Sequence, residues 1–107
     1  MKKFKSAITG HLDIVVDQIE DEFEGVTERW TEVQIHGDTA GLRSLANLLL
    51  KIADLDQENI AALPAGAREH RHLRPNFELS NSSTSVIVGR LDAKGTGDFY
   101  DRYIPKK

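Results

Sequence analysis

The chain has 107 residues, of which 39% are hydrophobic and 29% charged, and its formal net charge is −3. These values are typical of one globular domain spanning residues 1–107, and they exclude a disordered chain. The absence of cysteine excludes a disulfide framework, a thiolate metal site and a cysteine nucleophile.

Two features of the sequence bear on compartment and membrane association. The basic start, Met1–Lys5, is not followed by an uninterrupted apolar stretch, because Asp13 and Asp17 interrupt the nearest candidate. A secretory signal is therefore not expected. Apolar runs such as Leu48–Leu50 are far shorter than the roughly 20 residues that span a bilayer. We expect a cytoplasmic protein that does not associate with a membrane.

Charge is distributed unevenly along the chain. Residues 1–37 hold eight acidic and four basic residues, and all eight acids lie between Asp13 and Glu32, where Arg29 is the only base. A nucleic-acid-binding protein needs a basic stripe that replaces the counterions of the phosphates. The distribution therefore argues against a nucleic-acid partner and is compatible with a basic protein partner.

The first element, from Ile8 to Glu24, fits two periodicities. Helical spacing joins a series of apolar residues, namely Ile8, Leu12, Val15, Val16, Ile19 and Phe23. An alternating strand also fits the first half, where β-branched residues are frequent. Because residues 18–23 have no period of two, we predict a helix that ends at Gly25, and we leave residues 8–17 open between helix and strand.

The middle of the chain predicts a strand followed by a long helix. Val26–His36 is rich in aromatic and β-branched residues, which are typical of a strand. Thr39–Asp56 carries apolar residues at three- and four-residue spacing, and Asp38 is a favourable N-cap. This Leu-rich helix is predicted to be the buried centre of the fold.

The last third predicts two further strands. Glu69–Leu79 and Thr84–Asp92 are separated by a polar turn at residues 81–83, and Pro75-Asn76 indicates a bulge or an edge in the first of them. The predicted fold class is α+β. It has one long Leu-rich helix and an acidic N-terminal helix packed on a small, mostly antiparallel sheet.

The predicted N-terminal helix carries carboxylates along one side. At 100° per residue, five of them fall within an arc of roughly 100°, namely Asp13, Asp17, Glu20, Asp21 and Glu24. Like charges four residues apart cost roughly 0.2–0.5 kcal/mol per pair. The face either keeps the protein soluble or binds a basic partner. In the second case these five residues form the partner-binding site, and Trp30 is either its apolar anchor or a packing residue.

Histidines form the second candidate site. His70 and His72 flank Arg71 in a predicted strand, so both imidazoles lie on the same face. With His36 or a carboxylate they would bind a metal, or they would act as an acid–base pair for phosphodiester cleavage, with Arg71 or Arg74 holding the phosphate. A polar strand face without chemistry is the simpler interpretation. Since no nucleophile motif or phosphate-binding loop accompanies them, we predict no catalytic residue, no metal and no cofactor.

Several short motifs follow one another in a characteristic order. A strand ends in Gly37-Asp38, and after it come the Leu-rich stretch Gly41–Ala53, the segment His72-Leu73-Arg74-Pro75 and the strand Val86–Arg90 with its closing Gly-Arg. Over roughly residues 31–92 this order resembles small immunity proteins of bacterial polymorphic-toxin and contact-dependent growth inhibition systems. The resemblance implies a protein without enzymatic activity that binds and blocks a cognate toxin domain.

The resemblance and the charge distribution lead to one functional hypothesis. Toxins of these systems are often nucleases with basic clefts, and an acidic face would match such a cleft and speed association. We therefore expect an immunity protein that occludes the basic surface of its toxin, and we expect that toxin to be a nuclease. Two alternatives remain, a small hydrolase or metal-binding enzyme that uses His36, His70 and His72, and a homo-oligomeric structural subunit. The oligomeric state is left open.

Overall fold

The structure is a computed structural model that describes residues 6–107, so the basic start at residues 1–5 lies outside the described residues. Its elements in chain order are strand β1 (Leu12–Phe23), strand β2 (Val26–Gly37), helix α1 (Thr39–Asp54), a 3-10 turn (Gln57–Asn59), strand β3 (His70–Leu73) and strand β4 (Val86–Gly89). The strands form two separate antiparallel pairs, β1 with β2 and β3 with β4. The α+β class is confirmed, whereas the single predicted sheet is divided in two.

Strands β1 and β2 form a long, regular hairpin. The pairing runs without interruption from Leu12 opposite Gly37 to Phe23 opposite Val26. The two residues between the strands, Glu24 and Gly25, both have a positive φ, of 53° and 80°. Two such residues in a row are the signature of a type I′ turn, whose twist matches that of the strands it joins.

The predicted acidic N-terminal helix over Ile8–Glu24 is wrong, because strand β1 occupies residues 12–23 of this segment, and the strand alternative left open for residues 8–17 is correct from Leu12 onward. β-branched residues at positions 14–16 favour the strand, and twelve residues of β2 pair with it. Residues 18–23 lack the period of two because both faces of this part of the hairpin are largely exposed to solvent. Gly25 supplies the turn conformation instead of a helix end.

The outer part of the hairpin projects from the rest of the molecule. Leu12 and Ile14 are buried, whereas nearly all residues from Val16 to Val33 are exposed. The radius of gyration is 17.4 Å and the longest dimension 57 Å, whereas a compact chain of this length has a radius of about 13 Å. We call residues 16–33 the arm.

The core lies at the base of the hairpin, between β1, α1 and the segment that contains β3. It consists of eight buried apolar residues, Ile8, Leu12, Ile14, Leu45, Leu48, Ile52, Leu73 and Leu79. The predicted Leu-rich helix is confirmed, but it buries only one stripe, because Leu42, Leu49 and Leu50 are exposed. It is therefore a surface helix with one buried face.

A close backbone crossing fixes the hairpin to the start of α1. The carboxylate of Asp38 accepts hydrogen bonds from the backbone N–H groups of Gly41, at 2.8 Å, and His11, at 3.0 Å. A Cβ atom at Gly41 would overlap the carbonyl oxygen of His11. Asp38 thus caps the helix as predicted, and it also holds the chain that enters β1.

The strands predicted in the last third are confirmed, but they are shorter than expected. Asn76, with a φ of 67°, turns the chain after β3, and Pro75 makes one isolated bridge to Leu79. The segment before β4 attaches to the hairpin instead, because the N–H groups of Ser80 and Thr84 donate to the carbonyls of Leu12 and Ile14. These bonds join the two halves of the molecule.

Candidate functional site

One face of the arm carries four carboxylates in two directly opposed pairs. Side chains of a strand alternate between its faces, so the register places Asp17 opposite Glu32 and Asp21 opposite Glu28 on the same side. We call this side the acidic face. Like charges directly opposite each other destabilise an antiparallel pair, so the arrangement works against the stability of the arm.

Large apolar side chains lie between and beyond these carboxylates. Ile19 is opposite Trp30, and Phe23 is opposite Val26 at the tip. Phe23 and Val26 are 75% and 62% exposed, and Trp30 is 39% exposed. The indole N–H of Trp30 donates to a carboxylate oxygen of Glu32 at 2.7 Å. The acidic face therefore combines negative charge with exposed apolar surface.

No cation neutralises the acidic face within residues 6–107. The ion pairs of this part of the chain involve Arg29, Arg71 and Arg90, and Arg29 lies on the opposite side of the arm, where it contacts Glu20 at 3.3 Å. The only hydrogen bond from a neighbouring amide is that of Gln34 to Asp17, at 2.8 Å. The charge is thus available to a partner.

The structure separates the five carboxylates that the predicted helix would have placed together. Asp17 and Asp21 lie on the acidic face with Trp30, whereas Glu20 lies on the opposite face and Glu24 in the turn. The single arc of Asp13, Asp17, Glu20, Asp21 and Glu24 is therefore wrong. Sequence reasoning missed Glu28 and Glu32, although their alternation with Trp30 in a predicted strand indicated a shared face.

Asp13 has a separate position at the base of the hairpin. Its carboxylate accepts hydrogen bonds from the hydroxyl groups of Ser80 and Ser82. These bonds, with a smaller contribution from His36 opposite, lower the pKa of Asp13 below its ordinary value. Asp13 therefore attaches the turn at residues 80–83 to the hairpin.

The histidines do not form a catalytic or metal-binding cluster. His70 and His72 meet edge to face on β3, with ring centroids 5.1 Å apart, whereas His36 lies on β2 in the other sheet. Within residues 6–107 no group of three or more histidine or carboxylate side chains is placed to hold a metal ion. Arg71 pairs with Glu69 at 3.0 Å.

Comparison with known families decides what kind of protein this is. The model of a family described as Immunity protein 32 matches residues 32–91, more than half of the chain. The chain belongs to this immunity protein family. No curated protein and no solved structure matches it significantly.

Family membership confirms the predicted resemblance and the broad function. The chain is an immunity protein of a polymorphic toxin system, which implies neutralisation of a cognate toxin, and it is not an enzyme. The interpretation as a histidine-dependent hydrolase or metal-binding enzyme is therefore wrong. No helix among residues 6–107 is long and apolar enough to cross a membrane.

The motifs within the matched region have structural roles in this immunity protein. Gly89 allows β4 to approach β3, because a Cβ atom there would lie 2.7 Å from that of His70. The guanidinium of Arg90 donates to the carbonyl of Ile52, near the end of α1, and to that of Leu55, directly after the helix, and it forms two hydrogen bonds with Asp92. The closing Gly-Arg of the strand thus joins β4 to the end of the helix.

The matched region leaves most of the arm outside. It begins at Glu32, so strand β1 and the first six residues of β2 precede it. The body of the protein therefore carries the family pattern, and most of the acidic face lies on the part of the chain that the family model does not cover.

Proposed function

We propose that this immunity protein neutralises its toxin by binding a basic surface of the toxin with the acidic face of the arm. The observation that carries the proposal is the presence of two opposed pairs of carboxylates, Asp17 with Glu32 and Asp21 with Glu28. Each pair opposes folding, and an incoming Lys or Arg would turn that repulsion into attraction.

The exposed apolar residues supply the second part of the proposed interface. Protein interfaces gain most of their affinity from a few buried aromatic or Arg anchors, each costing about 2 kcal/mol or more when truncated. Trp30 and Phe23 are the aromatic residues of the arm, and they flank the carboxylates on the same face. Charge then sets the association rate, and the aromatic contacts set the lifetime of the complex.

We further propose that the toxin is a nuclease and that the encounter takes place in the cytoplasm. An enzyme that binds nucleic acid needs a basic surface that replaces phosphate counterions. A row of carboxylates without a cation fits such a surface better than it fits a neutral one. Contact-dependent growth inhibition is one system in which a toxin and its immunity protein act together, and this agrees with the resemblance in the sequence.

Protection of growing cells tests this proposal. The cognate toxin domain is expressed together with the wild type, with the Glu28→Lys, Glu32→Lys double variant, or with a matched Glu20→Lys, Glu22→Lys variant. Both variants change the net charge equally, but the second pair lies on the opposite side of the arm. We expect only the first variant to lose protection. Equal loss in both would refute the acidic face as the binding site.

A further inference from the structure

Beyond the side chains of the acidic face, the arm offers unpaired backbone. We propose that the outer edge of β2 accepts an extended segment of the toxin as an added strand, and that this segment alternates Lys or Arg with apolar residues. The inference deepens the proposed function and rests on it. The N–H and C=O groups of the outer edge would bind the toxin backbone, and the side chains on the two faces of the arm would select its sequence pattern.

Hydrogen bonding at the base of the hairpin shows which groups point outward. The N–H of Asp38 donates across the hairpin to the carbonyl of His11, whereas the carbonyls of Leu12 and Ile14 point outward and accept from Ser80 and Thr84. Opposed pairs whose backbone groups point inward alternate with pairs whose groups point outward along an antiparallel ladder, so Leu12–Gly37 and Ile14–Ile35 are outward pairs. Thr27, Arg29, Thr31 and Val33 therefore direct their N–H and C=O groups away from β1. They define the outer edge of β2.

Nothing in the described residues covers this edge. No backbone hydrogen bond within residues 6–107 joins Thr27–Val33 to a segment outside the hairpin. The opposite edge is different, because the carbonyls of Leu12 and Ile14 on β1 already accept hydrogen bonds from Ser80 and Thr84. Among residues 6–107 the outer edge of β2 is therefore free along its whole length, whereas that of β1 is covered at its base and free only from Val16 outward.

The outer edge of β2 lacks most of the devices that prevent edge pairing. Such devices are charged side chains, above all Lys, together with Pro, bulges and short strands. Here the carboxylates of Glu28 and Glu32 act in this way against an acidic strand, but they favour a basic one. β2 has twelve residues, its register with β1 contains no bulge, and it contains neither Pro nor Lys. Its one cation, Arg29, contacts Glu20 on β1. A free edge of this length is a template for strand addition.

The two faces of the arm determine the pattern of the added strand. Side chains that fall on the acidic face would lie beside Glu28, Trp30 and Glu32, about 4.5–5.5 Å away across the strands. Side chains on the other face would lie beside Thr31 and Val33. Val33 is 61% exposed, and Val16 opposite it is 50% exposed. Basic residues suit the first face and apolar residues the second.

Charge favours a toxin segment over a second copy of this chain. A second β2 would bring two more glutamates to the acidic face, and its single Arg lies on the other side. Pairing of two copies would therefore enlarge a charge that is already uncompensated. A basic toxin segment would neutralise this negative charge, and we therefore infer that the occupant is such a segment.

Proline substitution tests the edge, because proline removes an N–H group. Thr31→Pro removes an outward donor at the centre of the edge without removing a hydrogen bond between β1 and β2. Gln18→Pro is the matched control, since Gln18 is directly opposite Thr31 and points to the other edge. Both variants lose the same hydrogen bond between the Thr31 hydroxyl and the Gln18 amide. Melting curves verify that both fold.

The probe is a fluorescently labelled eight-residue peptide of alternating Lys and Val, with a Glu–Val peptide as its counterpart. We expect the Lys–Val peptide to bind the wild type, Thr31→Pro to weaken binding at least tenfold, and Gln18→Pro to change it less than threefold. Equal binding to both proline variants, equal binding of both peptides, or no binding of the Lys–Val peptide would overturn the proposal.

Amide hydrogen exchange gives a second measurement that needs no substitution. On addition of the Lys–Val peptide to the wild type, the amides of Thr27, Arg29, Thr31 and Val33 should exchange more slowly. Slower exchange at Val16 and Gln18 instead, or a wild-type dimer in sedimentation that Thr31→Pro dissociates, would refute the proposal. The proposed function would survive either result if Glu28→Lys with Glu32→Lys still abolished protection against the toxin.

Discussion

Replacing Glu28 by Lys should stabilise the arm while it impairs binding of the toxin. In the wild type Glu28 is opposite Asp21, and no hydrogen bond or ion pair within the described residues occupies its side chain. Cross-strand charge pairs contribute roughly 0.2–1 kcal/mol each, with the sign set by the charges. Conversion of a repulsive pair into an attractive one should therefore stabilise the hairpin by about 1 kcal/mol.

Amide exchange of the arm is the appropriate assay for this change. Because the arm projects from the body, it is expected to open locally without unfolding of the core. About 1 kcal/mol corresponds to a roughly fivefold slower exchange of the amides near residues 21 and 28. The effect should shrink in 1 M salt, where the screening length falls to about 3 Å.

Glu22→Lys is the matched control, since Glu22 carries the same charge on the other side and is opposite Thr27. We expect little change in exchange for this variant. If Glu28→Lys and Glu22→Lys have the same effect, the opposed carboxylates do not strain the arm, and their arrangement no longer indicates a partner.

The remaining predictions concern the body of the protein. Gly41→Ala should destabilise the fold by about 3 kcal/mol in urea denaturation, because the added methyl group would displace the chain at His11. The control is Asn47→Ala, on the exposed side of α1, which should have little effect. Arg90→Ala should lower the free energy of unfolding by about 2 kcal/mol, because it removes the hydrogen bonds to the Leu55 carbonyl and to Asp92. Arg71→Ala removes a more exposed ion pair and should lower it by less than about 1 kcal/mol. Equal losses in the two variants would contradict this. The lowered pKa of Asp13 stabilises the fold above the ordinary pKa of 3.8, and this stabilisation is lost as the pH falls through the folded pKa. Asp13→Asn should therefore be less stable than the wild type at pH 7 and as stable as the wild type below the folded pKa. Urea denaturation at a series of pH values measures both.

The sequence predicted those elements whose local signals agree with their tertiary contacts. Helix α1 has apolar spacing, a capping Asp38 and no competing period, and the structure has it at the predicted place. β2 was also predicted, because its β-branched and aromatic residues match its conformation. Strand β1 was not, since its exposed half has no single buried face that would produce alternation.

Parts of the candidate site were predictable for a geometric reason. Residues four apart share a face in both a helix and a strand, so Asp17 and Asp21 stay together under either interpretation. Residues three apart share a face only in a helix, and Glu20 therefore moves to the other side. Glu28 and Glu32 join the site through the register of the hairpin, which no local pattern determines.

The functions of the family motifs were also beyond sequence reasoning. The closing Gly-Arg of β4 is recognisable as a pattern, but the role of Arg90 depends on the carbonyls of Ile52 and Leu55, more than thirty residues away. Spacing alone does not predict such a contact. The single-domain organisation over residues 1–107 remains a prediction.

The association rate of the toxin domain measures the central claim most directly. Stopped-flow binding at several salt concentrations would compare the wild type with Glu28→Lys, Glu32→Lys and with the matched Glu20→Lys, Glu22→Lys variant. If the acidic face guides the encounter, the first variant should associate at least tenfold more slowly at low salt and show a flatter salt dependence, whereas the second should remain close to the wild type. The same rate and salt slope in all three proteins would contradict the proposal that this face binds the toxin.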